Sequence, residues 1–314
     1  MELLYDLPEK SQHLIIVDPP YFEVKGGFDF IWPSFDAYLS DVRRWATGVK
    51  RVMADNGTLL WWGHAKKIAY TQIILDEFFS LESSLVWRKK DSMQYQYYSA
   101  DLSRTFNSHN ERLLMYSNGT EPEEWDRTGW ESVKLDAGNF KPLREYFKGL
   151  QAALALTKSA ILEVVGQKAD HCFRWGSTQW DLPTEQTYLE ICKLPLKIGF
   201  QRKEYEELRK EYEELRRPFN NSMKLEDVLE FSQEAHLTGR WDHPTQKPPT
   251  LCRALIQTCS KRGQNLLVPF AGSFVEVVEG VNLGLNVTAS ELDPSYYARG
   301  LERVTEQTAQ TSLF

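Results

Sequence analysis

Asp18-Pro19-Pro20-Tyr21 sets a carboxylate, two backbone positions without donors and an aromatic ring at the end of the apolar run His13-Leu-Ile-Ile-Val-Asp18. An amine attached to an aromatic ring is a weak nucleophile because its lone pair is delocalised into the ring. A carboxylate such as Asp18 and a carbonyl such as that of Pro19 can each accept one of its N–H bonds, which localises the lone pair toward an electrophilic methyl group. The prolines stiffen the turn and remove competing donors, and Tyr21 offers a ring face on which a base can stack. Pro-Pro after a strand also marks ordinary turns, so the tetrapeptide gains meaning only in company.

That company stands far downstream. Asn265-Leu-Leu-Val268-Pro269-Phe270-Ala271-Gly272-Ser273 is an apolar stretch entering a small-residue loop, and Ala289-Ser-Glu291-Leu-Asp293-Pro follows about 20 residues later. This is the layout of an adenosyl-binding βαβ unit, in which small residues admit a close approach of backbone to ligand and an acid, here Glu291, accepts ribose hydroxyls. Before it stands His243-Pro-Thr245-Gln-Lys247-Pro248, a rigid turn whose cation can hold a cofactor carboxylate. Read more plainly, it is a proline-bounded helix start.

The elements that must position these residues follow from periodicity. Strands are expected at 13–18, 57–62, 81–87, 112–116, 265–268 and 285–289, and helices at 37–50, 66–79, 250–259, 275–283 and from Ser295. Short apolar runs alternating with amphipathic helices predict an α/β fold with a doubly wound, mostly parallel sheet, built from both ends of the chain. The Pro/Glu/Trp-rich entry at Glu121-Pro-Glu-Glu-Trp125 opens a different middle part with helices at 142–165 and 183–194. The expected domains are therefore a catalytic half at 1–118, a helical insertion at 119–239 and a cofactor half at 240–314.

The insertion contains two copies of Lys-Glu-Tyr-Glu-Glu-Leu-Arg, at 203–209 and 210–216. Tyr205, Leu208, Tyr212 and Leu215 fall on one helix face, while Glu and Lys/Arg can pair one turn apart. Two heptads are too few for a coiled coil. The helix is either an arm packed on its own domain or a contact for a second copy or for DNA. The loop residues Arg174, Trp175, Thr178, Gln179 and Trp180 can read base edges and stack, or equally fill a small helical core.

Composition bounds the rest. The 314 residues are 42% hydrophobic, enough for one catalytic domain and a smaller one. Net charge is -7, so a nucleic-acid site must be local rather than a bulk basic surface. Cys172, Cys192, Cys252 and Cys259 lack metal or disulfide spacing, so reduced thiols and no metal are expected. No run approaches the roughly 20 apolar residues that span a bilayer, and a cytoplasmic protein without membrane association is expected.

Taken in order, Asp18-Pro-Pro-Tyr21, His243-Pro-Thr-Gln-Lys-Pro248, Pro269-Phe-Ala-Gly-Ser273 and Glu291 resemble the β-class amino-methyltransferases, the family of DNA N6-adenine and N4-cytosine methyltransferases. The resemblance covers roughly 1–118 and 240–314. It implies a Rossmann-like methyltransferase fold with a target-recognition domain between the two motifs. It further implies S-adenosylmethionine as cofactor, double-stranded DNA as substrate, direct methyl transfer to a flipped-out base, a prokaryotic or phage origin as in restriction-modification, and a homodimer as a common assembly. Asp rather than Ser at 18 resembles the adenine-specific members; N4-cytosine methylation, RNA as substrate, or a DNA-recognition subunit without activity are the alternatives.

By the same resemblance Asp18, His243, Thr245, Lys247, Pro269, Phe270, Ala271, Gly272, Ser273, Glu291 and Asp293 face the cofactor, and Asp18 to Tyr21 the target amine. The segment from Trp87-Arg-Lys89 to His109-Asn-Glu111-Arg is similar to the family's strand, DNA-facing loop and strand, with Lys89, Tyr95 and Arg104 toward DNA. The sequence departs from the family loop Asp-Pro-Phe-x-Gly-Ser-Gly-Thr at Val268 and at Phe274-Val275. Phe274 either strains a backbone that glycine would relax, weakening cofactor binding, or packs under the sheet as an ordinary core residue.

Overall fold

The computed structural model describes residues 2–24, 27–90, 109–119, 137–175, 177, 179–232 and 246–309. Along the chain lie α1 (Glu2–Asp6), β1 (Gln12–Val17), α2 (Phe35–Val52), β2 (Met53–Gly63), α3 (Ile68–Leu75), β3 (Ser80–Lys90) and β4 (Asn110–Ser117). Then come α4 (Lys141–Leu154), α5 (Lys158–Val165), α6 (Glu185–Cys192), α7 (Tyr205–Leu215) and β5 (Val228–Ser232). The last part holds α8 (Pro249–Cys259), β6 (Asn265–Val268), α9 (Val275–Asn282), β7 (Asn286–Ala289) and α10 (Pro294–Ala309). The chain divides into two compact units, Met1–Asn118 with Pro218–Phe314, and Gly119–Arg217.

The first unit is a seven-stranded sheet in the order β5-β3-β4-β2-β1-β6-β7. β1 pairs in parallel with β2 on one side and β6 on the other, which joins the two ends of the chain. Side chains alternate between two faces, as a strand requires. Ile15, Val17, Leu59, Trp61, Leu114, Tyr116 and Leu267 join the core under α2 and α3, while Leu14, Ile16, Leu60, Trp62, Leu113, Met115, Leu266 and Val268 join the one under α8 and α9. With both faces covered, the strands read as continuous apolar runs. α2 starts where Ser34 Oγ accepts from the Ala37 amide at 3.2 Å, and it buries Val42, Trp45, Val49 and Val52.

Two features depart from the expected pattern. β4 is antiparallel to both β2 and β3, so the sheet is mixed. The expected insertion also overruns: beyond Arg217 the chain belongs to the first unit, where β5 pairs in parallel with β3 from Val86↔Val228 to Lys90↔Ser232. β5 is a short edge strand that buries Leu229 and leaves Val228 exposed, too weak a pattern to stand out.

The second unit closes α4 to α7 around Phe140, Leu143, Phe147, Leu150, Ile161, Trp180, Tyr188, Ile191 and Leu208. The expected helix at 142–165 is two: Ala155 ends α4 in the left-handed conformation, and Thr157 Oγ1 caps α5 by accepting from the Ala160 amide at 3.2 Å. The repeated heptads form α7, whose Tyr205, Leu208, Tyr212 and Leu215 all pack on this core. The Tyr205 hydroxyl donates to the Pro183 carbonyl at 3.0 Å, the Tyr212 hydroxyl to Asp181 Oδ1 at 2.8 Å, and the Tyr212 ring stacks on Phe140 at 4.8 Å. Of the two readings of the repeat, the geometry is that of an arm packed on its own unit.

Candidate active site

Because β1 and β6 are parallel neighbours, registered Leu14↔Leu266 and Ile15↔Leu267, their carboxyl ends deliver Asp18 and the 269–274 loop side by side. That edge of an open α/β sheet is where ligands bind. Asp18 accepts from the Tyr21 hydroxyl at Oδ1, 2.6 Å away, and from the Lys247 ammonium at Oδ2. Burial, then the Asp18 carboxylate, push the Tyr21 phenol well above its ordinary 10.0, so it stays a donor. The turn is fixed from behind: the Tyr21 amide donates to Oδ1 of Asp29, 2.6 Å away, a carboxylate only 1% exposed.

Lys247 is 3% exposed and held from several sides. Besides Asp18, Glu111 Oε2 lies 3.2 Å from its Nζ, and the Trp62 and Tyr21 rings lie 4.9 Å and 5.9 Å from it. Burial alone lowers an ammonium pKa, but Asp18 and Glu111 outweigh it and hold Lys247 above the usual 10.5. Glu111 in turn receives Lys89 at 2.6 Å. Burial pushes the Glu111 carboxyl up, yet Lys247 and Lys89 prevail and bring it down to about 2. Glu276, in the first turn of α9, is also buried; burial and then the Asp18 charge raise its carboxyl, which accepts from the Cys252 thiol at 3.5 Å.

The second half of the site is the loop after β6. Gly272 has φ +48, and its amide donates to Glu291 Oε2 at 2.7 Å, so the carboxylate sits at the lip of the loop. Ala271 is buried, the Pro269 carbonyl accepts from the Ser290 hydroxyl at 2.8 Å, and Phe270 packs edge-on against Trp45 at 5.0 Å. Arg303, 2% exposed, donates to the Ser273 carbonyl at 2.9 Å and to Gln246 Oε1 at 3.0 Å, tying the loop to the segment that carries Lys247. Phe274 combines both sequence expectations. Its backbone is left-handed at φ 60, and its ring is buried among Ala271, Val277 and the α10 residues Tyr297 and Gly300.

Several expected residues stand elsewhere or differ in role. Asp293 caps α10, accepting at Oδ1 from the Ser295 hydroxyl at 2.6 Å and from the Tyr296 and Ser295 amides at 3.1 and 2.7 Å, which lowers its pKa. Lys89 is turned inward onto Glu111, with its ammonium 4.9 Å from the Trp87 ring, rather than offered to solvent. Lys247 is committed to two protein carboxylates. In the second unit Arg174 bonds Asp170 and Gln179, Trp175 packs on Phe173 at 5.8 Å, and Trp180 is core, its indole donating to the Cys172 carbonyl at 3.1 Å. Arg144, missed in the sequence, holds that loop by donating to the Trp175 and Ser177 carbonyls at 3.1 and 3.4 Å. His243, Thr245, Tyr95, Arg104 and Thr178 lie outside the described residues. Among the described residues no group of His, Cys, Asp and Glu is placed to hold a metal, and no helix is long and apolar enough to cross a membrane.

Glu111, Asp29 and Arg303 are the functional candidates that sequence reasoning did not single out. Glu111 carried one signal, its place in the segment after the expected DNA-facing loop.

Comparison with known proteins agrees with this architecture. The chain is 32% identical over 88 residues to the DNA adenine methyltransferase YhdJ of Escherichia coli K12, a match covering 28% of this chain and 30% of that protein. Among solved structures, PvuII DNA methyltransferase (cytosine-N4-specific) superimposes with TM-score 0.52 at 12% identity, covering 99% of this chain and 89% of the other. TTHA0409 of Thermus thermophilus does so with TM-score 0.50 at 15% identity, covering 98% and 92%. At these identities the structures establish the common fold, a Rossmann-like methyltransferase sheet. A DNA methylase family model matches residues 12–302, spanning both halves of the site and the helical unit between them, and the chain belongs to the N6/N4 DNA methylase family.

Proposed function

We propose that the protein methylates N6 of adenine in double-stranded DNA, with S-adenosylmethionine as methyl donor. The observation that carries this reading is the meeting of Asp18 and Tyr21 at the end of β1 with the 269–274 loop of β6 and Glu291. The residues suit the cofactor: a small-residue loop with a positive-φ glycine, a carboxylate at its lip, and Leu292 beside it with 95% of its surface exposed as an apolar face. Phe274 leaves that approach open, since its ring is directed to α10. Pro269 to Ser273, with Glu291, would hold the adenosyl group, and the cofactor, when bound, supplies a methyl group on a sulfonium centre.

The chain's own residues do the rest. Asp18 accepts an N–H of the target amine, the Pro19 carbonyl accepts the other, and the Tyr21 ring offers a stacking face. Asp29 keeps the turn rigid through the Tyr21 amide, so the acceptors are preorganised. A base within the duplex cannot reach Asp18, so the target leaves the stack at a cost of a few kcal/mol. Sequence recognition falls to the 119–217 unit, with Arg174, Trp175 and Gln179 as readers once Arg174 and Gln179 exchange their mutual contact for base edges.

Adenine is favoured by Asp at 18 and by the partial likeness to an adenine methyltransferase. Labelled methyl transfer to duplex DNA followed by nucleoside digestion and mass spectrometry tests it. N6-methyladenine is the expected product. N4-methylcytosine would move the target to cytosine, and absence of label in any nucleoside would leave a DNA-recognition protein.

A further inference from the structure

Both oxygens of Asp18 are already engaged, Oδ1 by the Tyr21 hydroxyl at 2.6 Å and Oδ2 by the Lys247 ammonium. A lysine bound to Asp18 alone would compete with an arriving amine for the same lone pairs. Glu111 is a second carboxylate beside that ammonium, its Oε2 3.2 Å from Nζ, while Lys89 fixes its second oxygen at 2.6 Å. The Trp62 ring, 4.9 Å from Nζ, closes a further side. The ammonium is therefore divided between two carboxylates, in surroundings where only 2% of the lysine side chain is exposed and Coulomb attraction is little screened.

We propose that Glu111 is a positioning residue for methyl transfer: its charge attracts the Lys247 ammonium that is hydrogen-bonded to Asp18 and weakens that hold, so that Asp18 keeps acceptor capacity for the target amine. The effect runs through Lys247, not through contact with substrate. It depends on the reversal of β4, which begins where β2 and β3 end; Arg112 pairs with Gly63 and Glu111 with Trp87, so the start of β4 lies at the site's edge of the sheet. The Lys89 ion pair keeps Glu111 from swinging away, and the two lysines together hold its carboxyl down to about 2, so that it is charged near neutral pH. The proposal rests on the reading of Asp18 as the acceptor of the target amine.

The test compares the full-length protein with Glu111→Gln, Lys247→Gln, the double variant and Asp18→Ala. Steady-state methylation is measured together with S-adenosylhomocysteine titration, duplex-binding titration and thermal melting. Glu111→Gln should lower kcat about tenfold or more, while Kd for S-adenosylhomocysteine and duplex stays within about twofold. In the Lys247→Gln background the same substitution should change kcat no further, because the group that transmits its effect is gone. Wild-type kcat in Glu111→Gln, or losses that multiply in the double variant, overturns the proposal. If Glu111→Gln does not fold, the comparison of Lys247→Gln with the double variant decides, equal kcat supporting and a further loss refuting. Asp18→Ala separates the two readings: if it is inactive while Glu111→Gln is fully active, this proposal alone falls, and if it is active, both do.

Discussion

The ring of Phe274 occupies the space that a side chain at position 300 would need: an ideal Cβ on Gly300 would lie 2.1 Å from Phe274 Cδ2. The residue that replaces the family's glycine at the head of α9 is thus received by a glycine on α10. The left-handed backbone remains, at φ 60, but the ring packs against Gly300 and Tyr297 of α10 and joins the core under the sheet.

Magnitudes decide what Phe274→Gly should do. Relief of a left-handed non-glycine residue is worth about 1 kcal/mol, whereas deleting a buried phenyl ring costs about 3 to 5 kcal/mol. The variant should therefore lose about 2 to 4 kcal/mol of stability in denaturant unfolding and bind S-adenosylhomocysteine no more tightly by calorimetry. A gain in affinity with unchanged stability would refute this account of the loop.

Gly300→Ala should be destabilising by about 1 to 3 kcal/mol through overpacking against the same ring. Combined with Phe274→Ala, which removes the clashing atoms, it should cost much less than alone. Strict additivity in the double-mutant cycle would show that the two residues do not share one space.

Asp18→Ala should reduce labelled methyl transfer by a factor of about 100 or more, in the range of general acid–base contributions, while S-adenosylhomocysteine still binds. Asp18 is the nearer of the two partners of the buried Lys247, so a melting curve recorded beside the assay separates loss of chemistry from loss of fold. Retention of more than about a tenth of wild-type kcat would remove Asp18 from the chemistry.

The legible part of this protein is the part whose meaning is local. Strand alternation and a carboxylate at a strand's end suffice to place Asp18 and the loop after β6, because neighbouring positions carry both signals. Glu111 and Arg303 acquire their roles only from a reversed strand and from the packing of α10, neither of which leaves a periodic trace. Lys89 sits in a run of cations that looks solvated, and its turn toward Glu111 is a tertiary event. Asp293 was read only as facing the cofactor; Asp-Pro-Ser also has the form of an N-cap followed by proline at the first helical position, a signal that went unread, and in the structure the carboxylate caps α10. Nothing helical was expected between the strands at 81–87 and 112–116, and a parallel pair needs such a crossover, so the reversal of β4 was readable but not read.

Glu111 also gives stability a defined acid limit. Its folded pKa of about 2 lies below the ordinary 4.5, so the unfolded chain takes up the proton first on acidification. Its contribution is complete above about pH 4.5 and is lost as pH falls toward 2. A shift of that size corresponds to on the order of 3 kcal/mol. The gap in unfolding free energy between wild type and Glu111→Gln should accordingly narrow across that window, and a gap constant from pH 6 down to about pH 2 would contradict the ion-pair assignment.

The central place of β1 has a consequence for how the molecule comes into being. β1 is flanked by β2, next to it in sequence, and by β6, whose residues lie some 250 positions later, as in the pair Leu14↔Leu266. Contacts of such sequence separation carry a large loop-closure cost and form late. During synthesis the strand that carries Asp18 therefore waits with one edge bare until the chain has been made past residue 268 and β6 can dock. Because that docking also brings the 269–274 loop beside Asp18, a chain that ends before β6 would lack one half of the proposed site, and the proposed methyl transfer would require the sheet to be closed from both ends.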